Sequence, residues 1–204
     1  LDCVELSDAE RQAMRALARD GRTLAWVYAA GLATPAGLDP DAQAAITGIR
    51  VKLEDRSGPL LVDSYLTGAR LRYGTDREIA PLLHGDDPDA QVHGWEAYRG
   101  QPALLSKDMD GWRSVWSAAP CLPAALLRHL AAGAGAHIYT DAGDQVLAAG
   151  DLLALHAASP GLRTIRLPRA ASVYDAYTGA PIAEDTESFP VELARGETAV
   201  WRIQ

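Results

Sequence analysis

Cysteine, lysine and phenylalanine are the scarce residues of this 204-residue chain: two cysteines, two lysines (Lys52 and Lys107) and one phenylalanine. Cys3 and Cys121 are too few for a disulfide framework and supply no C-x-x-C metal spacing. With Phe189 alone, the core must be filled by Ala, Leu and Val, helped by five tryptophans and seven tyrosines. The basic residues are nearly all arginines, scattered without a run, in a chain of net charge -8, which argues against a nucleic-acid footprint. No stretch approaches the ~18 consecutive apolar residues of a membrane-spanning helix. A leader pattern is missing too, which leaves the compartment open and tilts the expectation toward the cytoplasm. The start, LDCVELSDAER, reads as a piece of a longer protein.

Several chemical motifs are also missing. Gly31 is followed by Leu-Ala-Thr-Pro-Ala-Gly, without the close glycines of a dinucleotide fingerprint, and there is no P-loop and no H-E-x-x-H. The acidic group Asp86-Asp87-Pro88-Asp89 lacks EF-hand spacing and reads as a solvated turn. No cofactor and no metal are expected.

What is present is a set of strand and helix patterns. Ser7 and Glu10 form a capping box with Leu6 as a hydrophobic staple, and Ala13, Met14, Leu17 and Ala18 share one face of the helix that follows. TLAWVYAAG at 23–31 is apolar without alternation, the mark of a strand buried on both faces. Asp39 or Asp41 caps a short helix ended by Gly48, and ITGIRVKLED at 46–55 is a strand. Residues 56–90, broken by Gly58, Gly68, Gly74, Pro81, Gly85 and Pro88, read as short strands and loops. Two strands follow at 91–98 and 101–108, around Arg99-Gly100.

From Trp112 to Asp144 the pattern is strand, turn, helix, glycine break and strand. Pro123 opens the helix, Leu122, Leu126, Leu127 and Leu130 form its stripe, and AHIYT at 136–140 is the second strand. This is the unit of an α/β fold, and the expected architecture is an open, mainly parallel sheet with flanking helices over residues 1–159. After Gly161 the chain turns to short β patterns separated by turn residues, so residues 160–204 are expected to form a small antiparallel β domain.

Candidate chemistry is thin. Cys121 lies between a strand and a helix, where a hydrolytic nucleophile would sit, but Ala119-Pro120-Cys121-Leu122-Pro123 lacks the small residues of a nucleophile elbow. Trp112, Trp116, His137 and Tyr139 are candidate carbohydrate or interface contacts, His137 and Tyr139 sharing one face of their strand; core packing is the blander reading. Trp26 and Trp95 are assigned to the core. None of the glutamates belongs to a pocket motif for glycoside hydrolysis, and a catalytic barrel needs about 250 residues.

The stretches LSDAERQAMRALARDGRTLAWVYAAG, ITGIRV, SVWSAAPCLPAALLRHLAAGAGAHIYTDAGD and LLALHAASPGLRTIRLPRAASVYDAYTGAPIAED resemble the C-terminal region of bacterial β-galactosidase-like glycoside hydrolases, from about Leu6 to Ile203. The resemblance implies an amidotransferase- or flavodoxin-like trimerisation domain that lacks the catalytic cysteine, followed by a small β domain. It also implies a catalytic barrel upstream carrying the two glutamates, neither of which can be placed on this sequence. The expected function is then noncatalytic: assembly, with a trimer as the implied oligomer, or support of the sugar site. The expected partners are the chain's own barrel, further copies and a carbohydrate substrate. Two alternatives stand beside it: an autonomous amidotransferase-like hydrolase using Cys121, and a carbohydrate-binding module.

Overall fold

The capping box at Ser7 does what its spacing predicts. The Ser7 side chain accepts the Glu10 N–H, the Glu10 carboxylate accepts the Ser7 N–H at 2.8 Å, and helix α1 runs Asp8–Leu17. In the same way Asp39 caps α2 (Pro40–Thr47), with Pro40 in the first turn, and Gly48 ends it in the left-handed conformation. The computed structural model describes residues 3–204, which form two compact units, one ending at Leu130 and the other running Ala131–Gln204.

The first unit carries strands β1 (Arg22–Val27), β2 (Ala33–Thr34), β3 (Gly37–Leu38), β4 (Val51–Glu54), β5 (Gly58–Ser64), β6 (Leu71–Ile79), β7 (Leu82–Gly85), β8 (Gln91–Glu96), β9 (Pro102–Met109) and β10 (Trp112–Ser117). Helix α3 (Ala124–Gly133) follows. Six of these strands form a curled mixed sheet in the order β1-β10-β9-β8-β5-β6. β4 pairs with β7, and β2 with β3, as separate two-stranded ladders. Leu60, Val62, Leu104, Leu105, Val115 and Trp116 fill the core, with Leu126 of α3 buried against them.

The second unit is one antiparallel sheet in the order β11-β12-β15-β13-β14, from β11 (Gln145–Ala149), β12 (Leu152–His156), β13 (Gly161–Asp175), β14 (Pro181–Leu193) and β15 (Thr198–Ile203). Alternation is clear along β13, where Arg163, Ile165 and Leu167 are buried and the residues between them are exposed. Phe189 and Trp201 pack edge to face at 5.2 Å in this unit's own core.

The expected open parallel α/β sheet with flanking helices is not what the chain forms. It is 49% strand and 14% helix, so too little helix exists to cover both faces of a parallel sheet. β1 and β10 are the one parallel pair of the six-stranded sheet; its other pairings are antiparallel. The misleading signal was the apolar run 23–31. Only its first part is strand, at the sheet edge, and Ala25 there is exposed. The rest bends through Tyr28 (φ 56°) and Gly31 (φ 70°) and buries Ala29, Ala30 and Leu32 as a turn. Residues 136–140 are likewise not a strand, although Tyr139 accepts a backbone hydrogen bond from Arg166.

Gly74 shows why residues 56–90 were hard to read. It lies inside β6 at φ 120°, and a Cβ there would overlap the Leu60 carbonyl oxygen and press on Ala119. Its glycine marks a close strand approach rather than a loop. Gly74→Ala is expected to cost about 3 kcal/mol, read as a lower urea midpoint at unchanged slope.

Candidate functional site

The residues singled out from the sequence fall in different settings. Trp116 is fully buried and its indole N–H donates to the Tyr28 carbonyl at 2.8 Å. Trp112 is half-buried against the same core, beside Gly48. Both belong to the first unit, whereas His137 and Tyr139 belong to the second. These two do come together: their rings meet edge to face at 4.6 Å, and a His137 ring nitrogen lies 2.9 Å from the Arg166 carbonyl. Tyr139 also lines a hollow of about 330 Å³ with Asp151, Leu152 and Arg169.

Cys121 is exposed in the turn before α3, at φ 62°, four positions beyond the last residue of β10. Among the described residues no hydrogen bond joins it to a histidine, and the fold around it is not the parallel sheet on which an amidotransferase elbow depends. Asp87 of the acidic turn is buried and engaged by Lys107 at 3.0 Å and by the Arg50 N–H at 3.0 Å. Burial pushes its carboxyl up, but these bonds outweigh that and hold it below the ordinary range. Among the described residues no group of three or more His, Cys, Asp or Glu is arranged to hold a metal.

Two other polar clusters are structural in character. His93 Nε2 lies 2.7 Å from the Ser106 hydroxyl, which also accepts from Arg113 at 3.0 Å. Burial, then Arg113 and His129, lowers the His93 pKa, so the ring is neutral near pH 7. Ser106 is buried, and among the described hydrogen bonds no carboxylate orients His93, so the relay of a serine hydrolase is incomplete. An open cleft of about 790 Å³ between α1 and α2 is lined by Glu5, Asp8, Glu10, Arg11 and Arg15. Glu10 and Arg11 are already engaged there, by Ser7 and by backbone carbonyls.

A surface that the sequence reading missed lies across β6, β5 and β8. Asp63 is directly opposite Arg72 on one side and Trp95 on the other, so all three stand on one face. The Asp63 carboxylate takes both Arg72 (Nε at 2.8 Å, Nη2 at 2.6 Å) and Arg70 (Nε at 3.4 Å, Nη2 at 3.0 Å). Those hydrogen bonds, Arg72's foremost, hold its carboxyl well below the usual carboxylate range. Tyr65 is in electrostatic reach of Arg70, and Tyr98 of Arg72.

Three large rings are open to solvent here: Trp95 is 46% exposed, and Tyr65 and Tyr98 are each 63% exposed. Trp95 is therefore not a core residue; strand alternation puts its neighbour Glu96 inside instead. Buried Glu96 accepts the Arg99 N–H at 2.6 Å and Arg99 Nε at 3.0 Å, which fixes the turn that presents Tyr98. The sequence signal was available as D-x-Y at 63–65 and R-x-R at 70–72, both at the period that puts alternate residues on one face.

Neither a protein-family model nor a curated protein matches the sequence. Solved structures do match its fold. A β-galactosidase from Bacillus circulans sp. alkalophilus aligns with a TM-score of 0.65 at 15% identity, over 99% of this chain and 32% of its own. A GH42 β-galactosidase from G. stearothermophilus aligns at 0.61 and 14% identity, over 99% and 31%. One from the Antarctic haloarchaeon Halorubrum lacusprofundi aligns at 0.63 and 14%, over 98% and 30%. The chain thus shares, end to end, the fold of a part of these β-galactosidases that makes up about a third of their length.

Proposed function

We propose that this chain is a noncatalytic region of a larger carbohydrate-active glycoside hydrolase, serving its assembly or supporting its substrate site. On this reading the catalytic carboxylates belong to a barrel that is not part of these residues. The observation that carries it is the match of nearly the whole chain to only about a third of each β-galactosidase.

The coding sequence upstream of Leu1 and the activity of the isolated chain test the proposal together. The expected results are an upstream region long enough for a barrel, at least about 250 residues with a pair of carboxylates, and no hydrolysis of a nitrophenyl β-galactoside by the chain alone. Deleting residues 1–204 from the full protein is expected to reduce its mass in solution from a trimer to a monomer or to weaken substrate binding. A native start at Leu1, or hydrolysis abolished by Cys121→Ser, would overturn it.

A further inference from the structure

We infer that the face formed by Tyr65, Arg70, Arg72, Trp95 and Tyr98 around Asp63 binds an acidic sugar, a pyranose ring carrying a carboxylate within an oligosaccharide. The inference rests on the reading of the chain as part of a carbohydrate-active protein and goes beyond it by naming a surface and a ligand class.

The hydrogen-bonding capacity of the patch selects the charge of the ligand. Its one carboxylate is saturated: both oxygens of Asp63 accept from both guanidiniums, four N–H donors in all. Each arginine uses only Nε and Nη2 on Asp63, so each keeps its Nη1 amino group without a partner among the described hydrogen bonds. What the two arginines offer a ligand is a pair of forks that can only donate, with one uncompensated positive charge, on a chain whose net charge is -8; the Tyr65 and Tyr98 hydroxyls can accept as well as donate. A neutral sugar needs acceptors for its hydroxyl protons as well as donors. A carboxylate needs only donors and fits guanidinium forks bidentately.

The rings select the body of the ligand. Trp95 and Arg72 flank Asp63 on adjacent strands, which places their Cα atoms about 10 Å apart. That span takes one pyranose ring with its carboxylate directed at the arginines. Tyr65 is in electrostatic reach of Arg70 and Tyr98 of Arg72, and both rings are open to solvent. A free carboxylate would engage the arginines and leave three apolar ring faces wet; a carboxylate on a pyranose covers both. The site is also held in place beforehand, because Asp63 pins both arginines and Glu96 pins the Tyr98 turn.

Titration calorimetry of the full chain with tetragalacturonate, and with the neutral galactose tetramer, tests this at 50 and 300 mM salt. The expected result is binding of the acidic oligosaccharide at least tenfold tighter than the neutral one, weakening as salt rises. Trp95→Ala is expected to lower affinity for the acidic ligand tenfold or more. Arg72→Ala is expected to erase the acidic preference, and Arg72→Lys to restore it only in part. Both side chains are solvent-exposed, so unchanged melting temperatures would attribute the losses to the site. Equal binding of acidic and neutral oligosaccharide, or of neither, overturns the inference. So does a Trp95→Ala variant that changes self-association but not sugar binding, because the patch is then a protein interface. A failure here beside an upstream barrel sinks this site and leaves the proposed function standing.

Discussion

Arg11→Ala is expected to destabilise the first unit by about 3 kcal/mol, because a single guanidinium there holds three segments together. Its Nε donates to the Leu6 carbonyl at 3.1 Å and Nη1 to Ala42 at 3.2 Å, while Nη2 donates to Gly31 at 2.9 Å and Ala33 at 3.1 Å. These carbonyls belong to the entry into α1, the turn after β1 and the helix α2. Among the described residues no carboxylate is hydrogen-bonded to it, so the effect is argued from these carbonyl bonds. Bonds from a charged donor contribute about 1.5–3 kcal/mol each, but the site is only partly buried and water would replace some of them. That is why the expected total lies well below four times the single value. Arg11→Lys keeps the charge but offers a compact ammonium that cannot reach carbonyls on three segments, and should recover less than half of the loss. Urea unfolding measures the total. Hydrogen exchange should localise it, with faster exchange at the Gly31 and Ala33 amides, which bond to Cys3 and Val4. Unchanged exchange at those amides would show that the clamp is redundant.

Local chemistry was legible in the sequence, and the order of the strands was not. The starts of α1 and α2 were written in short-range signals, the Ser7–Glu10 box and the Asp39-Pro40 cap, which depend on three or four neighbouring residues. Leu126 and Leu130 of α3, with Leu122 just before it, pack on the core as their spacing implied, but Leu127 is 47% exposed, so the stripe is narrower than four leucines suggested. The parallel sheet failed for a different reason. An apolar run reports burial and does not say whether a strand or a turn is buried, and 23–31 contains both. The partner of β1 lies far along the chain at β10, a pairing no local pattern encodes.

The same limit governs the candidate sites. Trp116 and Trp95 look alike in sequence, each an aromatic in a β segment. One is enclosed and donates to Tyr28, and the other stands on the open face beside Asp63. Only the register of β5 against β6 and β8 brings Asp63, Arg72 and Trp95 into one row. In the second unit β13 alternates over most of its length, a period-two pattern visible in the sequence, whereas its sheet also takes in β11 and β12 from before residue 160.

Asp144→Asn is expected to lower the melting temperature of the second unit by ~10 °C at neutral pH. The Asp144 side chain is fully buried, and that of Arg163 nearly so. Arg163 meets the carboxylate through Nε and Nη2, with Nη2 also donating to the Ser159 carbonyl and Nη1 to Gly161. Asp144 accepts the Ala158 N–H at 2.9 Å as well, so the pair ties the approach to β11 to the loop that enters β13. Removing the negative partner leaves a guanidinium enclosed beside the core strand without its counter-charge, a larger penalty than the pair's own net contribution. The Arg163 bond is also the foremost reason that the Asp144 carboxyl lies below its ordinary value in the fold, which fixes the sign of the pH dependence. With the folded value depressed, the stabilisation is complete above the unfolded pKa of about 4 and is lost as pH falls through the folded one. The melting temperature should therefore drop as the solution is acidified from pH 5 toward pH 2, with a shallower drop in Asp144→Asn. A calorimetric series over that range checks it. Parallel pH slopes in the two proteins would remove Asp144 as the origin. The double replacement Asp144→Leu with Arg163→Met separates the two parts of the effect: it removes both charges together and should recover much of the stability that the single change loses.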